Sequence, residues 1–130
     1  MTQNRHTRPT TVIAIIDDDE AIRAALKSLL KFSGYQTLCY SRAVEFLQSH
    51  NAETVQCIIS DIQMPGMSGI EMVEHLVAQG FQLPVIFISA FAGAATHIRT
   101  DLPGFIDCLA KPFDADELLA RLESALNSAV

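Results

Sequence analysis

Five short apolar runs recur along the chain, each broken by a polar stop and followed by residues at helical spacing. Thr11–Ile16 (TVIAII), Tyr35–Tyr40, Val55–Ser60 (VQCIIS), Val85–Ser89 and Phe105–Ala110 read as strands, because short β-branched runs bounded by turn residues suit a buried extended segment. After the first run, Ile22, Ala25, Leu26, Leu29 and Leu30 recur as one face of a helix that Gly34 stops. Ser41 is expected to cap a short helix through Leu47, with Val44 and Leu47 inward. Ser68 is expected to cap a third helix carrying Ile70, Val73 and Val77, ended by Gly80. Ala92–Asp101 has a weaker helical pattern. The fifth helix begins at Phe113 or Asp114 and turns Leu118, Leu119, Leu122, Ala125 and Leu126 inward.

The order is strand then helix, five times. Strands that are apolar throughout, not alternating, point to a parallel sheet covered on both faces. The expected fold class is therefore a doubly wound α/β domain, and such sheets bind ligands at the carboxyl ends of their strands.

Composition narrows the possibilities. The chain has 130 residues, of which 49% are hydrophobic and 18% charged, enough to bury one core and too few for two. The expected division is a flexible tail over residues 1–10 and one domain over 11–128. Met1–Thr10 carries Arg5, His6 and Arg8 with no long apolar stretch, so it does not read as a secretory signal. The net charge of −6 argues against direct nucleic-acid contact, which relies on clustered Lys and Arg. No apolar run approaches the roughly 20 residues that span a bilayer. The three cysteines, Cys39, Cys57 and Cys108, are odd in number and lack CxxC spacing; they read as small core hydrophobes in a reducing, cytoplasmic compartment. The histidines, His6, His50, His75 and His97, read as solvated.

The informative polar residues fall at the strand ends. The first strand ends in Asp17 and Asp18, the third in Asp61, the fourth in Ser89, and the fifth is followed by Lys111. A parallel sheet gathers these ends along one edge. Carboxylates packed together repel, and their pKa values rise. A hard divalent cation removes that conflict, and an oxygen-only donor set suits Mg²⁺, which commonly takes one or two carboxylates together with phosphate oxygens. Asp19 and Glu20 read instead as acids favoured in the first turn of a helix.

The segments IIDDDEAIR, SDIQMPGMSG, FISA and LAKPF together resemble the receiver (CheY-like) family of response regulators. The resemblance is strongest to FixJ/NarL-type receivers and spans roughly Thr11 to Leu126. Asp61 precedes Ser89 by 28 residues, and Ser89 precedes Lys111 by 22. The resemblance implies a five-stranded parallel sheet in the flavodoxin-like order 2-1-3-4-5. It implies a phosphorelay domain that is not a turnover enzyme, in which Asp61 takes a phosphoryl group from a sensor histidine kinase. By the same resemblance Asp18 ligates Mg²⁺ (or Mn²⁺) directly, Asp17 holds it through water, and Asp61 and the Gln63 carbonyl complete the protein ligands. Lys111 pairs with the phosphoryl oxygens, Ser89 is the switch hydroxyl, Ala90 leaves room for the donor, and Lys111–Pro112 is a cis peptide candidate. The signal would leave through the face made by the fourth helix, the fifth strand and the fifth helix, which also offers a homodimer surface. The regulated output would be transcription.

Two positions depart from the family. Cys108 stands three residues before Lys111, where the family usually has an aromatic switch, and Phe91 is a large aromatic two residues after Ser89. Both are expected to alter how phosphorylation is transmitted. Two rival readings stand beside this one. A haloacid-dehalogenase-like phosphatase shares an aspartyl phosphate, Mg²⁺ and a lysine, but places its nucleophile after the first strand. A pseudo-receiver lacks one of the acids or the lysine.

Overall fold

The computed structural model describes residues 11–90 and 102–128, with the side chain of Ser128 excepted. The strands are β1 (Val12–Ile16), β2 (Gln36–Tyr40), β3 (Cys57–Asp61), β4 (Val85–Ser89) and β5 (Phe105–Ala110). The described helices are α1 (Glu20–Phe32), α2 (Ala43–Ser49), α3 (Gly69–Ala78) and α4 (Ala115–Ser128). The helix expected over Ala92–Asp101 lies outside the described residues, so α4 is the fifth helix of the sequence pattern. The strands form one sheet in the order β2-β1-β3-β4-β5, and every pair is parallel. That is the order expected.

Alternation along the strands divides the core in two. On one face, Ala14, Ile16, Ile58 and Phe87 meet Phe46 of α2 and Met72, Val73 and Leu76 of α3. On the other, Ile13, Ile15, Ile59, Ile86 and Ile88 meet Leu26 and Leu30 of α1 and Leu118 and Leu122 of α4. Because β1, β3 and β4 bury residues on both faces, they carry no polar alternation, and all five residues of β3 and of β4 are buried.

Local chemistry sets the helix starts. Asp19 caps α1, its side chain accepting from the N–H groups of Ala21 and Ile22, and Glu20 lies in the first turn. Ser68 caps α3 in a reciprocal capping box with Glu71, as the sequence suggested. Gly34 and Gly80 follow α1 and α3 at positive φ, 96° and 94°, a conformation that costs glycine little.

Four expectations are corrected. Arg42, not Ser41, is the N-cap of α2, and it caps without a side-chain bond. Ser41 instead donates both its N–H and its hydroxyl to Glu45 Oε1, at 3.0 and 2.9 Å. Val44 is exposed; the buried residues of α2 are Ala43 and Phe46, and Leu47 only flanks the core. Ala25 of α1 is exposed as well. Cys39 is exposed because β2 is an edge strand, and Cys108 is only half-buried, which leaves Cys57 as the one core cysteine; all three are free thiols.

Candidate functional site

The carboxyl ends of β1, β3, β4 and β5 converge. Asp17, just beyond β1, and Asp61, the last residue of β3, are 1% and 7% exposed, while Asp18 is exposed. One carboxylate oxygen from each of the three lies within 4.8 Å of the others. Lys111 reaches this cluster from the end of β5. Its Nζ stands 2.9 Å from Asp17 Oδ2 and 3.3 Å from Asp61 Oδ2.

The backbone aims Lys111 inward. Its N–H donates to the Ser89 carbonyl at 2.8 Å, tying the end of β5 to the end of β4, and the Lys111–Pro112 peptide is cis. Ser89 is buried at 3% exposure, directly beside the cluster in sequence register: β3 and β4 pair Asp61 with Ile88. Ala90, the residue after Ser89, is exposed, and Gln63 is exposed two residues after Asp61. Phe91 lies outside the described residues. Cys108 occupies β5 opposite Phe87, with its N–H donating to Asp107 Oδ1 at 2.7 Å.

The electrostatics follow from this crowding. Burial pushes the Asp61 carboxyl above the ordinary carboxylate range, and the Asp17 charge pushes it further; Lys111 only partly offsets both. Burial draws the Lys111 ammonium down, but hydrogen bonds to Asp17 and Asp61 and their charges more than reverse this, so its pKa is raised. Formally, three carboxylates less one ammonium leave two negative charges, the complement of a divalent cation. The donors are all oxygen, as a hard cation requires.

Asp17 is the most constrained member. Its N–H donates to Tyr40 O (3.1 Å), its carbonyl accepts from Arg23 Nη1 (2.7 Å), Oδ1 accepts from Asp19 N–H (2.9 Å) and Oδ2 meets Lys111. Asp18, by contrast, is exposed, while one of its carboxylate oxygens stays within 4.8 Å of those of Asp17 and Asp61.

Sequence reasoning missed two contributors. Arg23 bonds a main-chain carbonyl, for which no side-chain pattern exists. Gly69 opens α3 against the backbone of Asp61: a Cβ there would collide with the Asp61 carbonyl, lie 2.9 Å from Ser60 Oγ and lie 3.2 Å from the Phe87 ring. Its N–H also donates to the Ile62 carbonyl at 2.8 Å. The glycine in PGMSG was a visible signal, though its neighbour across space was not.

A doubly wound five-stranded parallel sheet with an acid cluster and a lysine at its carboxyl edge defines a class of receiver-like α/β domains. Within that class the chain belongs to the response regulator receiver domain family, whose model matches residues 13–123. It is 38% identical over 119 residues to the response regulator protein TodT of Pseudomonas putida, covering 92% of this chain and 52% of TodT. It is 33% identical over 117 residues to the transcriptional regulatory protein FixJ of Bradyrhizobium diazoefficiens, covering 90% and 57%. Its fold is similar to that of the response regulator StyR, with a TM-score of 0.84 at 34% identity, over 91% of this chain and 60% of the other. The chain thus spans a little over half the length of these relatives. No described helix is long and apolar enough to cross a membrane.

Proposed function

We propose that this domain accepts a phosphoryl group on Asp61 from the phosphohistidine of a sensor kinase and signals through a change of shape, without turning over an external substrate. The observation that carries this reading is the convergence of the Asp17, Asp18 and Asp61 carboxylates within 4.8 Å, with Lys111 bonded to two of them.

An Asp61 carboxylate oxygen attacks phosphorus, an O–P bond forms, and the P–N bond to the donor imidazole breaks. Lys111 is placed to stay with Asp61 as the charge on the phosphoryl oxygens spreads. Exposed Ala90 presents only a methyl group just after Ser89, which would leave room for a bulky donor. Ser89, buried at the neighbouring strand end, is the hydroxyl that would follow the new phosphoryl group. Asp18, Asp61 and the Gln63 carbonyl would hold Mg²⁺ or Mn²⁺ directly, with Asp17 acting through water, since both Asp17 oxygens already have protein partners. The cation, when bound, supplies positive charge that relieves the carboxylate repulsion and polarises the phosphoryl oxygens. The response would leave through β5, α4 and the segment before β5, and this face would also serve a homodimer; the setting is cytoplasmic and the output transcriptional.

The phosphatase rival would place its nucleophile just after β1; the buried acid there, Asp17, has both carboxylate oxygens engaged, by the Asp19 N–H and by Lys111, so this reading keeps Asp61 as the acceptor. Incubation with acetyl phosphate and Mg²⁺, followed by intact mass, tests the proposal. One phosphoryl group should be gained, and Asp61→Asn should gain none. Single-site labelling that persists in Asp61→Asn would place the acceptor elsewhere.

A further inference from the structure

The Arg23 guanidinium lies in the second turn of α1, outside the acid cluster, yet it donates to the Asp17 carbonyl at 2.7 Å. That carbonyl belongs to the peptide joining Asp17 to Asp18. A peptide is planar, so fixing its oxygen fixes the N–H and Cα of the following residue. Asp17 has three other anchors, at its N–H and both carboxylate oxygens. Asp18 is exposed, and among the described residues its carboxylate has no hydrogen-bond or ion-pair partner to hold it. The orientation of Asp18 therefore depends on the backbone that delivers it: Arg23 grips the peptide before it, and the Asp17 carboxylate holds the N–H of the peptide after it.

We propose that Arg23 is a positioning residue for the cation site, acting through the Asp17–Asp18 peptide to aim the Asp18 carboxylate. This rests on the reading of the cluster as a divalent-cation site. The bond is local: the Arg23 N–H lies in the α1 ladder, donating to Asp19 O at 3.0 Å, so the side chain spans from a helix that Asp19 itself has capped. The α1 start and the acid pair are thereby made one rigid unit. A charged donor to a carbonyl is among the stronger hydrogen bonds, and partners one step removed from a metal ligand commonly shift metal affinity.

The test is Mn²⁺ binding to the full chain, read by loss of the free-ion EPR signal, for wild type, Arg23→Ala, Arg23→Lys and Asp18→Ala, and for the Arg23→Ala/Asp18→Ala double variant. Arg23→Ala should weaken binding about tenfold or more, as outer-shell substitutions do. Arg23→Lys, which keeps a cationic donor, should recover most of it. In the Asp18→Ala background, Arg23→Ala should cause no further loss, because its target is gone. Arg23→Met, which keeps the apolar stem, replaces Arg23→Ala if the latter melts below the assay temperature. Unchanged affinity in Arg23→Ala or Arg23→Met overturns the proposal. So does a loss of the same size with and without Asp18, which would assign the effect to the whole loop. A wild type that binds no Mn²⁺ would instead overturn the cation-site reading, and this inference with it.

Discussion

Lys111 lies closer to Asp17 than to the proposed acceptor: its Nζ is 2.9 Å from Asp17 Oδ2 and 3.3 Å from Asp61 Oδ2. The ammonium thus sits between two buried carboxylates and tempers their repulsion when no cation is present. It follows that Lys111→Ala should leave the acid cluster able to bind Mg²⁺ while making the cation-free fold less stable. Stranding a buried acceptor costs about 1–3 kcal/mol, and more when the acceptor is charged. Melting in EDTA should fall relative to wild type, and added Mg²⁺ should raise the variant's melting temperature more than the wild type's. Phosphorylation from acetyl phosphate should slow strongly. A variant that loses Mg²⁺ binding yet still takes up phosphate at the wild-type rate would show that Lys111 serves the metal and not the phosphoryl group.

Asp61 should be a site where charge costs stability. Its native pKa is raised, first by burial and then by the Asp17 charge. A raised carboxyl binds more protons folded than unfolded, so stability is greater below its unfolded pKa and declines as pH rises through the native value. At neutral pH without divalent cation, Asp61→Asn is therefore expected to melt higher than wild type. The advantage should shrink as pH falls toward the carboxylate range, where wild-type Asp61 takes up its proton. Thermal melts across that range, in EDTA, read this directly. An Asn variant less stable at neutral pH would mean that the lost contact to Lys111 outweighs the relief.

Gly69→Ala should destabilise the fold, although alanine is the better helix former. Its φ is not in the left-handed region, so the demand is for space: a Cβ would meet the Asp61 carbonyl, with Ser60 Oγ at 2.9 Å and the Phe87 ring at 3.2 Å. Forcing a methyl into such a junction costs about 1–3 kcal/mol, against a helix-propensity gain of up to about 1 kcal/mol. Urea denaturation measures the balance. Because the collision is with the backbone of the proposed acceptor, phosphorylation should also slow in the fraction that remains folded. A stabilised Gly69→Ala would show that the start of α3 can shift without disturbing β3.

The fold was legible because β1, β3 and β4 bury both faces, so their Val and Ile runs were continuous. The cluster was legible because Asp17, Asp61 and Lys111 each end or follow a strand, and topology does the rest. What escaped has identifiable causes. Helix α2 is under two turns long, and Val44–Leu47 and Ala43–Phe46 both satisfy a three-residue spacing, so the buried face was ambiguous. Ser41 looked like a cap, but Glu45 competes for its hydroxyl and N–H. Cys39 lies in an apolar run but on an edge strand, a property of sheet order and not of local sequence. Arg23 acts on a main-chain oxygen, which no residue pattern announces, and Gly69, visible in the sequence as a glycine, meets a main-chain oxygen that only the fold brings near.

The cysteines allow a test of how the signal leaves the site. Cys57 is fully buried and its thiol is pushed up to about 12, chiefly by burial; Cys108 is raised by burial and by the Asp107 charge; Cys39 is exposed. The thiolate is the reactive form, so at mildly alkaline pH iodoacetamide should label Cys39 first, Cys108 more slowly and Cys57 last, as read by peptide mass. Cys108 stands where the receiver family usually carries an aromatic switch. A cysteine has one side-chain torsion and little volume, so it has no large ring to move between an inward and an exposed seat. Any element that transmits phosphorylation must have two arrangements which the phosphoryl group biases differently. Cys108, its N–H held by Asp107 within a paired strand, is not built to be that element. The labelling rate of Cys108 should therefore stay the same when beryllofluoride and Mg²⁺ mimic the phosphorylated state. A several-fold rise in that rate, with Cys39 unchanged as the internal control, would show that β5 itself opens and that Cys108 has inherited the switch.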